Sequence, residues 1–422
     1  MNIKNCLIYF SIFILIISIL LYFSFDTSYI EIEITDQNSK AKCMDGSNYK
    51  FLYSKGFGNG TNSFYIYFEA GGFCGDENYD PKNEEAPLQL CEKRITNRLG
   101  TNKFLPLLRY FNPYISRFFT SSKYFNPIFY NWNKVYIKYC DGTLYMGNEE
   151  KPIQYKNLLF YIRGEENVKS VFNYLTKNKN LNNAKNVLVS GSSAGAIAVN
   201  IYSKYIRSLL SSKTNYKVIS DSGFFHQTNY NLIYKNLNIM QDMMIKLKNS
   251  FHLSKTKTMI DLNPKNDFID FIQPKTFINN YEKDFDFLFL TSAYDSWALS
   301  RLLKIRCFFG KNVYNDCNET EINMFEKYSN ELIDEIENII EKDKNGKITA
   351  WIPKGFYHMF ICNSWSWNIK KYGVGGYSVQ SFINDWYYDL LPKNKKMFYD
   401  KKDVKKKLVD FFWFINYLKV KF

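Results

Sequence analysis

The stretch NVLVSGSSAGAIAVNIYS, residues 186–203, constrains the fold more than any other part of the chain. A short apolar run is followed at once by glycines and serines, and then by small residues suited to the first turns of a helix. A strand turning directly into a helix belongs to a largely parallel sheet, because the next parallel strand is reached only by a crossover. Gly191 and Gly195 stand two residues either side of Ser193, where a β-carbon would collide with the neighbouring strand or helix. The centred position selects Ser193, and not Ser192, as the residue such a turn would expose.

The rest of the chain repeats the alternation. Residues 64–69 (FYIYFE), 135–139, 187–190, 218–220, 285–291 and 348–352 read as strands. Residues 168–174 and 194–210 read as helices, as do residues 320–342, where Ile322, Phe325, Leu332, Ile336 and Ile339 recur at helical spacing. The pattern predicts an α/β fold with helices on both faces of a mostly parallel sheet. Residues 231–275 lack strong periodicity and suggest helices or a lid. With no internal repeat or low-complexity linker, residues 31–392 are expected to form one catalytic domain. It follows an N-terminal segment, residues 1–30, and precedes a basic, aromatic tail, residues 393–422, suited to an interfacial helix or to docking on the domain.

Residues 7–25 carry no charge, Gly or Pro and are long enough to cross a bilayer. The stretch after them offers no A-x-A-like cleavage site, so a signal anchor with Lys4 cytosolic is favoured over a cleaved signal peptide. The remainder would then be lumenal or extracellular, type II if anchored and secreted if cleaved. Of eight cysteines, seven lie beyond this segment and none forms a C-x-x-C pair, which argues against zinc and for an oxidising compartment. Asn59 and Asn318 begin glycosylation sequons. The formal charge of +14 comes from lysines spread along the chain, without nucleic-acid-binding motifs or one compact basic patch, so no nucleic-acid partner is expected.

Parallel sheets place reactive groups at the carboxyl ends of strands, and three strand ends carry Ser193, Asp295 and His358 in that order. This is the order of an α/β-hydrolase triad. Of three histidines, only His358 follows the acid; His252 suits a packed position, and His226 could line the pocket. Asp221, which also ends a strand, competes with Asp295, which is preferred on order and spacing. The amide of Ala194, at a helix start, and those of Gly72 and Phe73, in a glycine-rich loop after the first strand, are candidate oxyanion donors.

Taken together, CMDGSNYKF, YFEAGGFC, CEKRITNRLGT, NPIFYNWNKVYIKYCDG, FYIRGEENV, VLVSGSSAGAIAV, ISDSGFF, SAYDSW and INDWYYD resemble the pectin acetylesterase and Notum family of carboxylesterases. The resemblance implies an α/β-hydrolase fold that cleaves O-acyl esters without metal or organic cofactor. Carried over by position, it places the nucleophile on Ser193, the acid on Asp295, the base on His358, and the oxyanion donors on Gly72, Phe73 and Ala194. It also implies disulfides Cys43–Cys140 and Cys74–Cys91. Cys307 and Cys317 are near enough in sequence for a third, leaving Cys362 free. Two departures stand out: Phe73 replaces the tryptophan that follows the family's glycines, and the cysteine-rich surroundings of the base are thinned to FYHMFICNSW. The substrate class expected is an O-acylated glycan, with an acylated protein or lipid as the alternative. An inactive binding homologue belongs to a different class.

Overall fold

The structure is a computed structural model. It describes residues 29–35, 40–103, 117–123, 126–255, 257–262, 285–309, 316–362 and 373–399, with isolated positions 9, 11–14, 265, 270, 272, 367 and 370. In chain order the sheet strands are β1 (Tyr29–Glu33), β2 (Lys50–Ser54), β3 (Ser63–Phe68) and β4 (Asn133–Ile137). A small hairpin, β5 (Ile153–Tyr155) and β6 (Leu158–Phe160), stands apart; the sheet resumes with β7 (Asn186–Ser192), β8 (Asn215–Asp221), β9 (Asp286–Leu290), β10 (Ile348–Ile352) and β11 (Met397–Tyr399). The order across the sheet is β1-β2-β4-β3-β7-β8-β9-β10-β11. The pairs β1 with β2 and β2 with β4 are antiparallel. All other pairs from β4 to β11 are parallel.

The helices are α1 (Ala86–Arg94), α2 (Gly164–Lys179), α3 (Ala194–Ser208), α4 (Ile239–Ser250), α5 (Lys257–Leu262), α6 (Ser296–Arg301), α7 (Glu319–Lys342) and α8 (Val379–Tyr387). The central strands are mostly apolar because both faces are covered, with Lys217 on β8 buried but paired to Asp286 and Asp389. Their two-residue period divides the core. Phe64, Ile66, Phe68, Val187, Val189, Val218, Phe287 and Phe289 join the face packed by α2, α3 and α7. Tyr65, Tyr67, Leu188, Ile219, Leu288 and Trp351 join an aromatic layer with Phe118, Phe129, Trp132, Trp367 and α8. Two helix starts are set by capping boxes, Asn318 with Glu321 for α7 and Ser378 with Ser381 for α8.

The six predicted strands and three predicted helices are present, and residues 231–275 contain α4 and α5. The two flanks differ from expectation. β1 begins at Tyr29, ahead of the boundary at residue 31, and β11 lies beyond residue 392 yet pairs with β10, so both sheet edges reach into the segments expected to be linker and tail. Residues 7–25 fall almost wholly outside the described residues, as do residues 400–422. Among the described residues, no helix is long and apolar enough to cross a membrane.

Candidate active site

β7 ends at Ser192, and Ser193 sits between strand and helix with φ 54° and ψ −117°, a conformation few L-residues adopt. The flanking glycines make it attainable. A β-carbon on Gly191 would lie 2.2 Å from the carbonyl oxygen of Gly195, and one on Gly195 would lie 2.2 Å from that of Phe68 on the next strand. The Ser193 amide donates to the Asp221 carbonyl at 2.8 Å, pinning the turn to β8.

His358, in the loop after β10, brings Nε2 to 2.9 Å from Ser193 Oγ. Its Nδ1 lies 2.8 Å from Asp295 Oδ2. Asp295 is buried, and its other oxygen accepts from the Ala298 amide at 3.0 Å as the N-cap of α6, so one contact orients the carboxylate and the other orients the ring. Trp297 stacks beside the His358 ring at 6.3 Å, and Phe225 packs on Trp297 at 4.8 Å. Trp297 and Phe225 thereby brace the imidazole. This arrangement allows His358 to take a proton from Ser193 while Asp295 steadies the cationic ring.

The loop after β3 is built by an ion pair and a disulfide. Gly72 has φ +61°, and a β-carbon there would lie 2.0 Å from Asp76 Oδ2, so only glycine fits. Buried Arg94, on α1, donates to the Gly71 carbonyl at 2.8 Å and to Asp76 at 3.2 Å. Cys74 is bonded to Cys91 on the same helix. Burial outweighs the Arg94 guanidinium and raises the Asp76 pKa. The Phe73 amide donates to Asp76 Oδ2 at 3.2 Å, which sets it apart from the other two expected oxyanion donors. The Phe73 ring is buried against Trp297 at 6.4 Å. Neither Arg94 nor Asp76 stood out in the sequence, because a buried pair within one loop and its helix has no spacing signature.

Ser192 and Asp221 have a joint place. Ser192 Oγ donates to Asp221 Oδ2 at 2.6 Å. Asp221 also accepts from the amides of Phe360 (2.9 Å) and Ile361 (2.9 Å), and Ser222 Oγ accepts from the Met359 amide at 2.9 Å. The end of β8 therefore grips the backbone just past His358 and the residue just before Ser193. Burial raises the Asp221 pKa to about 6, against the pull of these donors. Among the described residues Cys362 is the free thiol; burial pushes it up to about 12, so it stays protonated and lies against Tyr67 Oη.

The other expected positions fall into place around this site. His226 is engaged by Glu335 at 2.6 Å and Glu331 at 3.2 Å, both on α7. His252 is exposed at the end of α4 with φ 50°, and so departs from the packed position expected of it. The disulfides Cys43–Cys140, Cys74–Cys91 and Cys307–Cys317 are all formed. Glu321 lies near the last of these, but its two sulfurs are bonded to each other and offer no thiolate to a metal. Asn59 and Asn318 are exposed.

Comparison with known proteins now adds to this geometry. A family profile described as Pectinacetylesterase matches residues 25–412. Pectin acetylesterase 4 of Arabidopsis thaliana is 25% identical over 372 residues, covering 84% of this chain and 83% of that protein. Pectin acetylesterase 7 of the same plant is 33% identical over 185 residues, a match that spans 44% of this chain and only 43% of that protein. The palmitoleoyl-protein carboxylesterase NOTUM of Schmidtea mediterranea is 27% identical over 203 residues, 47% of this chain and 35% of that protein. The solved structure of the Wnt deacylase Notum from Drosophila shares the fold, with a TM-score of 0.67 at 15% identity, covering 89% of this chain and 97% of that one. That structure shares the α/β-hydrolase architecture of this chain, and with the profile spanning most of its length the chain belongs to the pectinacetylesterase family of carboxylesterases.

Proposed function

We propose that this protein is a serine esterase that removes O-acetyl groups from a polysaccharide. One observation carries the reading: the unbroken hydrogen-bond chain from Asp295 through His358 to Ser193, ending on a serine held in a strained turn. Ser193 Oγ attacks the ester carbonyl as His358 Nε2 takes its proton. The amides of Gly72 and Ala194 receive the oxyanion, the latter at the start of α3 where the helix dipole adds to it; Phe73 contributes its amide once Asp76 releases it. The carbonyl re-forms, the sugar alcohol leaves with the proton from His358, and water activated by the same nitrogen hydrolyses the acetyl-serine.

A small acyl group suits this site. Phe73 and Phe225 each pack on Trp297 beside His358, a set of bulky rings next to the base that favours a short acyl group over a long one. The disulfides suit a secreted or lumenal enzyme, with residues 7–25 as its membrane anchor or leader and with Asn59 and Asn318 open to glycosylation.

The test is a purified ectodomain assayed with a fluorophosphonate probe and with p-nitrophenyl esters of increasing chain length. Labelling and acetate release are expected, with rates falling as the chain lengthens; Ser193→Ala should lower kcat by roughly 10⁴ or more and abolish labelling. Absence of turnover at every length would sink the esterase reading and leave a binding protein. A preference for long chains would move the substrate to an acylated protein or lipid.

A further inference from the structure

The register of the sheet places Tyr29 at the end opposite the active site. Tyr29 pairs with Ser54, Ser54 with Lys134, Lys134 with Tyr65 and Tyr65 with Leu188, so Tyr29 is level with the beginnings of the parallel strands. Ser193 lies five residues past Leu188, roughly 17 Å further along at strand rise. Only residues 26–28 separate Tyr29 from the uncharged stretch of residues 7–25, a reach of at most roughly 14 Å. Within that stretch Tyr9, Ile12, Phe13 and Ile14 are helical with exposed side chains, so the domain does not cover them. Whatever surrounds residues 7–25 therefore lies close to the end of the sheet where β1 begins.

That end has the composition of a phospholipid-facing surface. Five loops lead into strands there: residues 55–62, 180–185, 209–214, 343–347 and 388–396. Exposed Lys55, Lys185, Lys213, Lys344 and Lys393 come one from each. The five loops hold only two acids, and both are engaged: Asp343 accepts from the Ile348 amide at 2.6 Å, and Asp389 meets Lys217 at 2.7 Å. Large apolar side chains stand among the lysines, with Phe57 48% exposed, Tyr388 52% and Leu390 64%. Lysines mixed with exposed aromatic and aliphatic side chains suit the headgroup level of a bilayer. By contrast the loop after β3 at the catalytic end, residues 69–85, holds six acids against Lys82 alone. Lysines far apart in sequence are thus gathered at one end of the fold.

We propose that this basic, partly apolar end of the sheet rests on the phosphate headgroups of the bilayer that holds residues 7–25, with the Ser193 site facing away from the membrane. The proposal rests on reading those residues as the anchor of a lumenal or extracellular enzyme. In this orientation the esters within reach belong to chains in the aqueous phase, and the acyl lipids of the anchoring bilayer lie at the opposite end of the sheet.

Hydrogen exchange on the full-length chain tests the orientation. The chain is compared in an uncharged detergent, in phosphatidylcholine nanodiscs and in nanodiscs enriched in phosphatidylserine. Asn59→Gln is present throughout, because a glycan at exposed Asn59 would stand on the same face. Residues 180–185, 209–214 and 388–396 should exchange more slowly in nanodiscs than in detergent, and more slowly still with phosphatidylserine, while residues 69–85 stay unchanged. Lys185→Gln and Lys393→Gln should each reduce the added protection from phosphatidylserine about fivefold, and high salt should reduce it in the parent chain. Equal exchange in all three environments, slowing at residues 69–85 instead, or protection indifferent to both substitutions and to salt, overturns the proposal. A chain that elutes free of the nanodiscs removes the anchor reading and the proposal with it. Acetyl release is assayed on the same samples. Turnover without the expected protection leaves the esterase reading standing, and protection without turnover removes that reading alone.

Discussion

Asp221 and Asp295 look interchangeable by position: each is a buried aspartate at or just past the carboxyl end of a parallel strand, and each contacts the loop of His358. They differ in which atoms they face. Asp295 meets the imidazole nitrogen, so its charge acts on the proton that moves. Asp221 meets backbone amides on the far side of the same loop and the hydroxyl of Ser192, so its charge acts on where the ring and the nucleophile stand. Burial alone does not mark the catalytic acid. The partner atom does.

This contrast can be broken or sharpened by substitution. Asp295→Asn should have the largest effect on turnover, lowering kcat by roughly 10³–10⁴ through the loss of the ring's tautomer and cation support, while the melting temperature changes little. Asp221→Asn keeps one acceptor and loses another. It should lower kcat roughly 10- to 100-fold, leave KM for p-nitrophenyl acetate nearly unchanged, and destabilise the fold by about 1–3 kcal/mol on denaturant unfolding. A larger kcat loss for Asp221→Asn than for Asp295→Asn would reverse the assignment.

Asp221 also ties stability to pH. With a folded-state pKa of about 6 against 3.8 for an ordinary aspartate, Asp221 in the folded protein still holds a proton that the unfolded chain has released. Its contribution is therefore fully present below about pH 4 and is lost as pH rises to about 6, at about 1.4 kcal/mol per pH unit within that window. Asp141, also buried and raised to about 6, adds a similar slope. Unfolding free energies measured between pH 4 and 7 should show the slope reduced, though not abolished, in Asp221→Asn. An unchanged slope would mean that Asp221 is ionised throughout. The smallest effect belongs to Ser192→Ala, which removes one hydrogen bond from Asp221: about 1 kcal/mol of stability and a change in kcat of only a few-fold.

The proximity of Ser193, His358 and Asp295 was legible because each stands out by position: a serine centred between two glycines, an acid just past an apolar strand, and the one histidine that follows it. The sheet's centre was legible for a related reason, since strands covered on both faces are largely apolar. Its margins were not. YIEIE, which forms β1, begins only three residues past the uncharged segment, so its start was counted with that segment, although Tyr29 and Ile32 are buried and Ile30 is exposed, as an edge strand requires. VQSFINDWY, which forms α8, has a capping box whose third residue is serine in place of the usual acid, so its start was missed. The contact between the Phe73 amide and Asp76, and the grip of Asp221 on Phe360 and Ile361, are side-chain to backbone bonds set by loop shape. No residue type three or 139 positions away foretells them.

The bond between Cys74 and Cys91 closes a loop of 17 residues that begins two residues after Gly72. In a reducing cytosol this tether is absent, and constraining such a loop is worth about 3 kcal/mol, comparable to one oxyanion contact. A newly made chain would thus hold its nucleophile, base and acid while its oxyanion loop is still loose. Oxidation on leaving the cytosol would then act as a licensing step, matching the onset of full esterase activity to the place where acylated glycans are met.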